Sequence, residues 1–327
     1  MKRAAILVLV LLVEVAVFTA ISGREFNSVS GAAAYFVSYV RDLFVQSAPV
    51  LLLAFGMTII LITAGIDLSV ASMAALVGCV MGSFAGGANF WWQAIPAGLA
   101  VGLGAGALNG LLVARFDVPP IIATLGTMIF YRGLCFVIMG DLEKSPFLEV
   151  PGYGAIGSFA GAAGLIIGVF LLGGLYFSNS VWRRELLMIG GNRIAARYAG
   201  IRVERRLLQT YCLMGIMAFL AALCFTSRDG SVIASSLNGL ELHVIVAVVL
   251  GGTRVQGGRG SIIGTIFGVL FIAIMDEGLR GAAVWGARNL PFKISHLEYV
   301  LLGVLLVFGV WLNNVLQARA SSGQKDG

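Results

Sequence analysis

The side chains able to do acid–base, nucleophilic or metal chemistry are few, and they do not form a set. The two histidines, His243 and His296, each stand at the start of an apolar run, without the HExxH pairing that a hydrolytic zinc site uses. The four cysteines, Cys79, Cys135, Cys212 and Cys224, lie inside apolar stretches with no CxxC spacing, and they read as small buried hydrophobes. Glycines cluster in VVLGGTRVQGGRGSIIGT, Val248 to Thr265, but a phosphate-cradling loop needs a lysine followed by Ser or Thr. The lysines are Lys2, Lys144, Lys293 and Lys325, all elsewhere. No catalytic residue, no metal site and no nucleotide site is expected on this chain.

What remains is polar chemistry set beside breaks in apolar runs. The segment AGIDLSVAS, Ala64 to Ser72, puts a glycine and a carboxylate between two strongly apolar stretches. Asp67 there reads as a helix break with a cap, accepting bonds from the first amides of the following helix. An ionisable residue beside a broken membrane helix is also a functional candidate. DVPP, Asp117 to Pro120, ends one helix and starts the next, because two prolines remove backbone donors. Thr124, Thr127 and Arg132 follow within or close to the apolar run, and Arg132 needs a partner. With Thr58, Thr63, Ser69, Ser72 and Asn109 these residues are candidates to line a polar conduit, although hydroxyls can also bond back to their own helix.

The elements that must position these groups are membrane helices. Hydrophobic residues make up 59% and charged residues 12% of the 327 residues, against roughly 25% charge in an ordinary soluble domain. Apolar runs long enough to cross a ~30 Å hydrocarbon core recur from end to end. The candidate spans are 4–22, 43–64, 67–86, 92–114, 121–139, 159–178, 207–226, 241–252, 261–279 and 295–314. The fold class is therefore an all-α polytopic membrane protein of about ten transmembrane helices, some of them broken or half helices, in a single domain over residues 1–327. The 4–22 run follows Lys2 and Arg3 but is long for a signal segment and is kept as the first span. Gly98, Gly102, Gly106 and Gly110 share one helix face, a pattern that lets backbones approach closely, and Gly264 and Gly268 repeat it.

Net charge is +6, but the basic residues sit in short connectors and form no stripe for nucleic acid. The 179–206 connector holds Arg183, Arg184, Arg193, Arg197, Arg202, Arg205 and Arg206, which places it in the cytoplasm. With ten spans both termini then face the cytoplasm too. In that connector Asn192 suits a helix N-cap and Gly200 the position past its C-terminus. The short helix between them carries Arg193 and Arg197 on one face and Ile194 and Tyr198 on an adjacent one, which invites a protein partner, the alternative being an amphipathic helix resting on anionic lipid. On the opposite side Arg24, Arg280, Arg288 and Lys293 are candidates to pair with acidic groups of a docking protein.

At GIDLSVAS, DVPPIIATLGT with Arg132 and Gly133, IGGNRIAARYAGI and VVLGGTRVQGGRGSIIGT, in this order and spacing, the chain resembles the ribose-type permeases of ABC sugar importers, over about residues 50 to 315. The resemblance implies a type II importer-like permease subunit in the bacterial inner membrane. It implies a second permease copy or paralogue, a cytoplasmic ATPase that supplies ATP and Mg, and an extracytoplasmic sugar-binding protein. It also implies that Gly190, Gly191, Asn192, Arg193, Ile194, Ala195, Ala196, Arg197, Tyr198 and Gly200 form the element docking on the ATPase. Ala64 and Ala71 stand where the family usually has glycines, and Asp276-Glu277-Gly278 where an Asn-Gly pair is common. Permeases for branched-chain amino acids, nucleosides or a signalling sugar are alternatives, as is an ion-coupled carrier, for which Glu14 is the buried carboxylate in mid-span.

Overall fold

A single helix of 34 residues, α1 (Val29–Ile62), is the axis of the described structure. The computed structural model describes residues 29–84, 90–140, 146–289 and 297–322; the 4–22 span and Glu14 lie outside the described residues. Beyond α1 the chain forms α2 (Val70–Ser83), α3 (Phe90–Ala114) and α4 (Pro120–Met139). After a short 3-10 turn and a single turn at Gly154–Gly157 come α5 (Phe159–Ile167), a π segment at Gly168–Gly173 and α6 (Gly174–Asn179), in effect one interrupted span. Then follow α7 (Val181–Gly191), α8 (Arg193–Tyr198), α9 (Val203–Asp229), α10 (Leu240–Leu250), α11 (Ile262–Asn289) and α12 (Leu297–Ser322). No strand occurs among the described residues.

Six of these helical stretches are long and apolar enough to cross a membrane, and α2, α10 and part of α12 are shorter apolar helices. The chain is thus an all-helical polytopic membrane protein. Nine of the spans read from sequence fall on these elements, with different ends. α1 begins well before residue 43, and α11 continues past 279 to Asn289, so parts of the 23–42 and 280–294 segments read as connectors are helical. Hydropathy ends a span at the first charges, whereas a helix stops only where its backbone is broken or capped. The short span at 241–252 is the 11-residue α10, too short to cross alone.

Burial ranks the helices. The apolar window of α1 is 83% buried, enclosed by α9, α11, α10 and α5, whereas that of the 159–179 stretch is 17% buried and forms the perimeter. A close seam joins α3 to α9, because the glycine face has no side chains to hold the backbones apart. A β-carbon on Gly102 would meet the Gly215 carbonyl at 2.5 Å, and one on Gly106 would collide with the Tyr211 carbonyl. Gly104, off that face, has open space around it. Gly264 and Gly268 bring α11 equally close to the Gly251 and Ala247 carbonyls at the end of α10. In lipid such close packing supplies dispersion and shape fit where a water-driven apolar gain is absent.

Candidate functional site

Two polar constructions stand out, and the end of α1 links them. The first is the break between α1 and α2. The Thr63 and Gly65 amides fold back on the Ile60 carbonyl, Ala64 takes a left-handed φ of 61°, and the helix stops. Asp67, fully buried, accepts from the Ser69 amide at 2.8 Å and the Ser69 hydroxyl at 2.6 Å, closing a turn that delivers the chain into α2. The carboxylate thus bonds two residues ahead, before the first helical residue Val70, rather than to amides inside α2.

Neighbouring helices extend this turn into a network. Asn109 of α3 donates its side-chain amide to Ser69 Oγ at 2.8 Å and to Asp67 at 3.3 Å. The Tyr131 hydroxyl of α4 directs its proton between the Ala105 carbonyl, 2.9 Å away, and Asn109 Oδ1, 3.2 Å away. Thr124 Oγ1 accepts from the Leu68 amide at 3.1 Å and faces the Ile66 and Pro120 carbonyls at 3.1 and 2.8 Å. Pro119 and Pro120 start α4 as the DVPP reading expected, which puts Thr124 one turn in, level with the break.

The other sequence-picked hydroxyls are buried and bonded as well. Ser72 donates to the Ser69 carbonyl, Thr127 to the Thr124 carbonyl and Thr63 to the Ile60 carbonyl. Thr58 donates to the Ala54 carbonyl and lies 2.6 Å from Thr265 Oγ1, tying α1 to α11. Sequence reasoning missed Tyr131 and Thr265, whose roles depend on partners far along the chain. Arg132 finds its partners in the Ala234 and Ser236 carbonyls at 2.7 and 2.8 Å, so the half-buried guanidinium clamps the 231–239 loop to α4. Cys79, Cys135 and Cys224 are buried and Cys212 is half-buried.

The second construction is the α7–α8 hairpin. Asn192 Oδ1 accepts from the Ile194 and Ala195 amides at 2.9 and 3.0 Å, and Gly200 follows the helix with a φ of 81°, both as the sequence indicated. Much of the 179–206 connector is helical, because Ser180 also caps α7 by accepting from the Arg183 amide. Three of the arginines pair at the surface with the chain's own carboxylates: Arg197 with Glu204 at 2.6 Å, Arg193 with Asp117 at 3.8 Å, and Arg206 with Glu185. Ile194 and Tyr198 instead project outward, 65% and 89% exposed. The offered face is apolar and aromatic.

The hairpin rests on the break itself. Gly258, in the glycine-rich loop between α10 and α11, donates its amide to the Ile62 carbonyl at 2.9 Å. Gly190 lies over the same pair, so that a β-carbon there would strike the Ile62 oxygen and sit 2.7 Å from the Gly258 nitrogen. Burial, and then the neighbouring Arg259, lower the Arg254 guanidinium from its ordinary value in this loop. Three of the four sequence motifs thus meet at the end of α1. Of the four basic residues picked for the other side, Arg280 is exposed and pairs with Glu277 at 3.7 Å. Arg288 lies in α11, and Arg24 and Lys293 lie outside the described residues.

The chain is similar in sequence to import permeases. The ribose import permease protein of Escherichia coli (strain K12) is 33% identical over 288 residues, which covers 86% of this chain and 87% of that protein. The fructose import permease protein of Rhizobium meliloti is 30% identical over 333 residues, 95% of this chain and 86% of its own length. An autoinducer 2 import system permease protein of Klebsiella pneumoniae is 33% identical over 286 residues, 84% of this chain and 80% of its own. No solved structure matches the chain. The family described as the permease component of the branched-chain amino acid transport system matches residues 39–310, and the chain belongs to it.

Proposed function

We propose that this chain is the membrane-spanning permease subunit of an ATP-driven importer for a monosaccharide or a related small polar solute. The observation that carries the reading is the seat of α8. A short capped helix presents Ile194 and Tyr198 outward, while Gly190 rests its base on the α1 break. A partner that moves α8 therefore moves the Ile62–Gly258 contact with it. In this reading residues 190–201 dock on a cytoplasmic ABC ATPase, which binds the ATP and Mg. The permease transports and catalyses no bond change, as its import-permease relatives do.

The remaining expectations fit the same frame. The fold is type II importer-like, with about ten spans in one domain over 1–327, in the bacterial inner membrane with both termini cytoplasmic. A second copy or a paralogue completes the pore within the lipid bilayer. An extracytoplasmic binding protein delivers the solute near Arg24, Arg280, Arg288 and Lys293. The Asp67, Ser69, Ser72, Asn109, Thr124 and Thr127 seam, with Thr58 and Thr63, lines the conduit; Asp67, Ser69 and Asn109 bond one another, and the hydroxyls bond backbone carbonyls beside them, which fixes the helices. Autoinducer 2, named for one group of relatives, is a signalling-sugar alternative within this reading.

The test is reconstitution in liposomes with the ATPase and binding protein encoded beside it. Radiolabelled ribose or fructose should accumulate with ATP and not without it. Accumulation against a gradient by the permease alone would replace this reading with an ion-coupled carrier.

A further inference from the structure

A cavity of about 240 Å³ opens between α1, the 231–239 loop, α10 and α11, apart from the polar seam and the hairpin. Its wall carries two carboxylates, Asp276 and Glu277, two amides, Gln46 and Asn238, and the His243 and Arg280 nitrogens. Asp276 lies in mid-helix on α11, and its Oδ2 is 3.5 Å from His243 Nε2. His243 Nδ1 is 3.2 Å from the Gly239 carbonyl, which orients the ring so that Nε2 is turned to Asp276.

Location gives the cavity a direction. Gln46 lies sixteen residues before the Ile62 end of α1 and Asp276 fourteen residues after the start of α11, about 24 and 21 Å along their helices. The cavity is therefore remote from the hairpin, toward the side from which an importer receives its solute.

We propose that it is a binding station for a neutral polyhydroxylated solute of monosaccharide size, an inference that rests on the permease reading. Each sugar hydroxyl both donates and accepts, and this wall offers acceptor carboxylates interleaved with donor amides and a guanidinium. Neither carboxylate is presented alone, since His243 stands beside Asp276 and Arg280 Nε is 3.7 Å from Glu277 Oε2. An isolated cation or anion is thus not what the wall selects. Val50, Val269 and Ile272 supply the apolar surface on which the C–H faces of a sugar ring pack. The volume lies below the roughly 300–1,000 Å³ usual for drug-sized ligands, as a small solute requires.

Ala273 lines the cavity without a polar side chain and is the place for a reporter. The full-length Ala273→Cys chain, in lipid nanodiscs, is labelled with a water-soluble thiosulfonate, the unsubstituted chain giving the background of its native cysteines. D-ribose or D-fructose at twice its dissociation constant should slow labelling about threefold. Asp276→Asn or Glu277→Gln in that background should abolish the protection while thermal unfolding is unchanged. A cysteine that never labels, labelling that neither sugar slows, or protection that survives both substitutions overturns the station. If the complete reconstituted system still imports sugar in those cases, only the station falls; if it imports nothing, the permease reading falls and the station with it.

Discussion

The amide of Gly258 donates to the carbonyl of Ile62 at 2.9 Å, joining the glycine-rich loop to the last residue of α1. Gly190 covers that bond, with room for a hydrogen but not for a methyl group. Gly190→Ala should therefore push the hairpin off the break, at a cost of about 1–3 kcal/mol typical of overpacking. Solute-stimulated ATP hydrolysis in the reconstituted complex should fall more than the amount of folded permease does. Unchanged stimulation would show that the hairpin does not act through this contact.

Asn192 makes the two cap bonds that hold α8 upright. Asn192→Ala should weaken that helix by about 1 kcal/mol, and Asn192→Ser or Asn192→Asp should restore most of it. Affinity between permease and ATPase, measured by fluorescence titration in nanodiscs, is expected to follow the same order, because Ile194 and Tyr198 are displayed only by a formed helix.

Ala64 occupies a left-handed conformation, φ 61°, that costs an L-residue roughly 1–2 kcal/mol. Glycine has no such penalty but loses about 0.5–1 kcal/mol more chain entropy. Ala64→Gly should thus leave the protein slightly more stable, by up to about 1 kcal/mol in thermal unfolding in detergent. A clear loss of stability would mean that the alanine methyl packs better than its backbone strain costs.

Two buried tyrosines should respond in opposite ways. Tyr131 bonds the Ala105 carbonyl and Asn109, so Tyr131→Phe should destabilise by about 1 kcal/mol. The buried Tyr211 hydroxyl has no hydrogen-bond partner among the described residues, and Tyr211→Phe should be neutral or stabilising by about 1 kcal/mol. Paired melting curves decide both.

Features whose chemistry is local were legible in the sequence. The Asn192 cap closes within three residues and the Asp67 turn within two, and the glycine face of α3 repeats every four residues. Helix ends were less legible, since Arg41, Asp42 and Arg280 interrupt hydropathy without interrupting the helix. Long-range partners could not be read at all. Arg132 reaches carbonyls more than a hundred positions on, and Thr58 meets Thr265 across 207. The partners of the connector's arginines are likewise set apart from them in sequence: Asp117 reaches Arg193, Glu185 reaches Arg206 and Glu204 reaches Arg197, while Arg193 and Arg197 keep part of their surface exposed. The His243–Asp276 pair escaped notice because His243 looked like the start of a span and Asp276 like its edge.

Where Gly102 and Gly106 touch the backbone of α9, no rotamer intervenes to be rearranged. The two helices are welded at the main chain, and sliding one past the other would drive a carbonyl oxygen into an α-carbon. Whatever pivots as solute passes must carry α3 and α9 as a single rigid plank, leaving the yielding to seams cushioned by side chains, such as the one between α1 and α11.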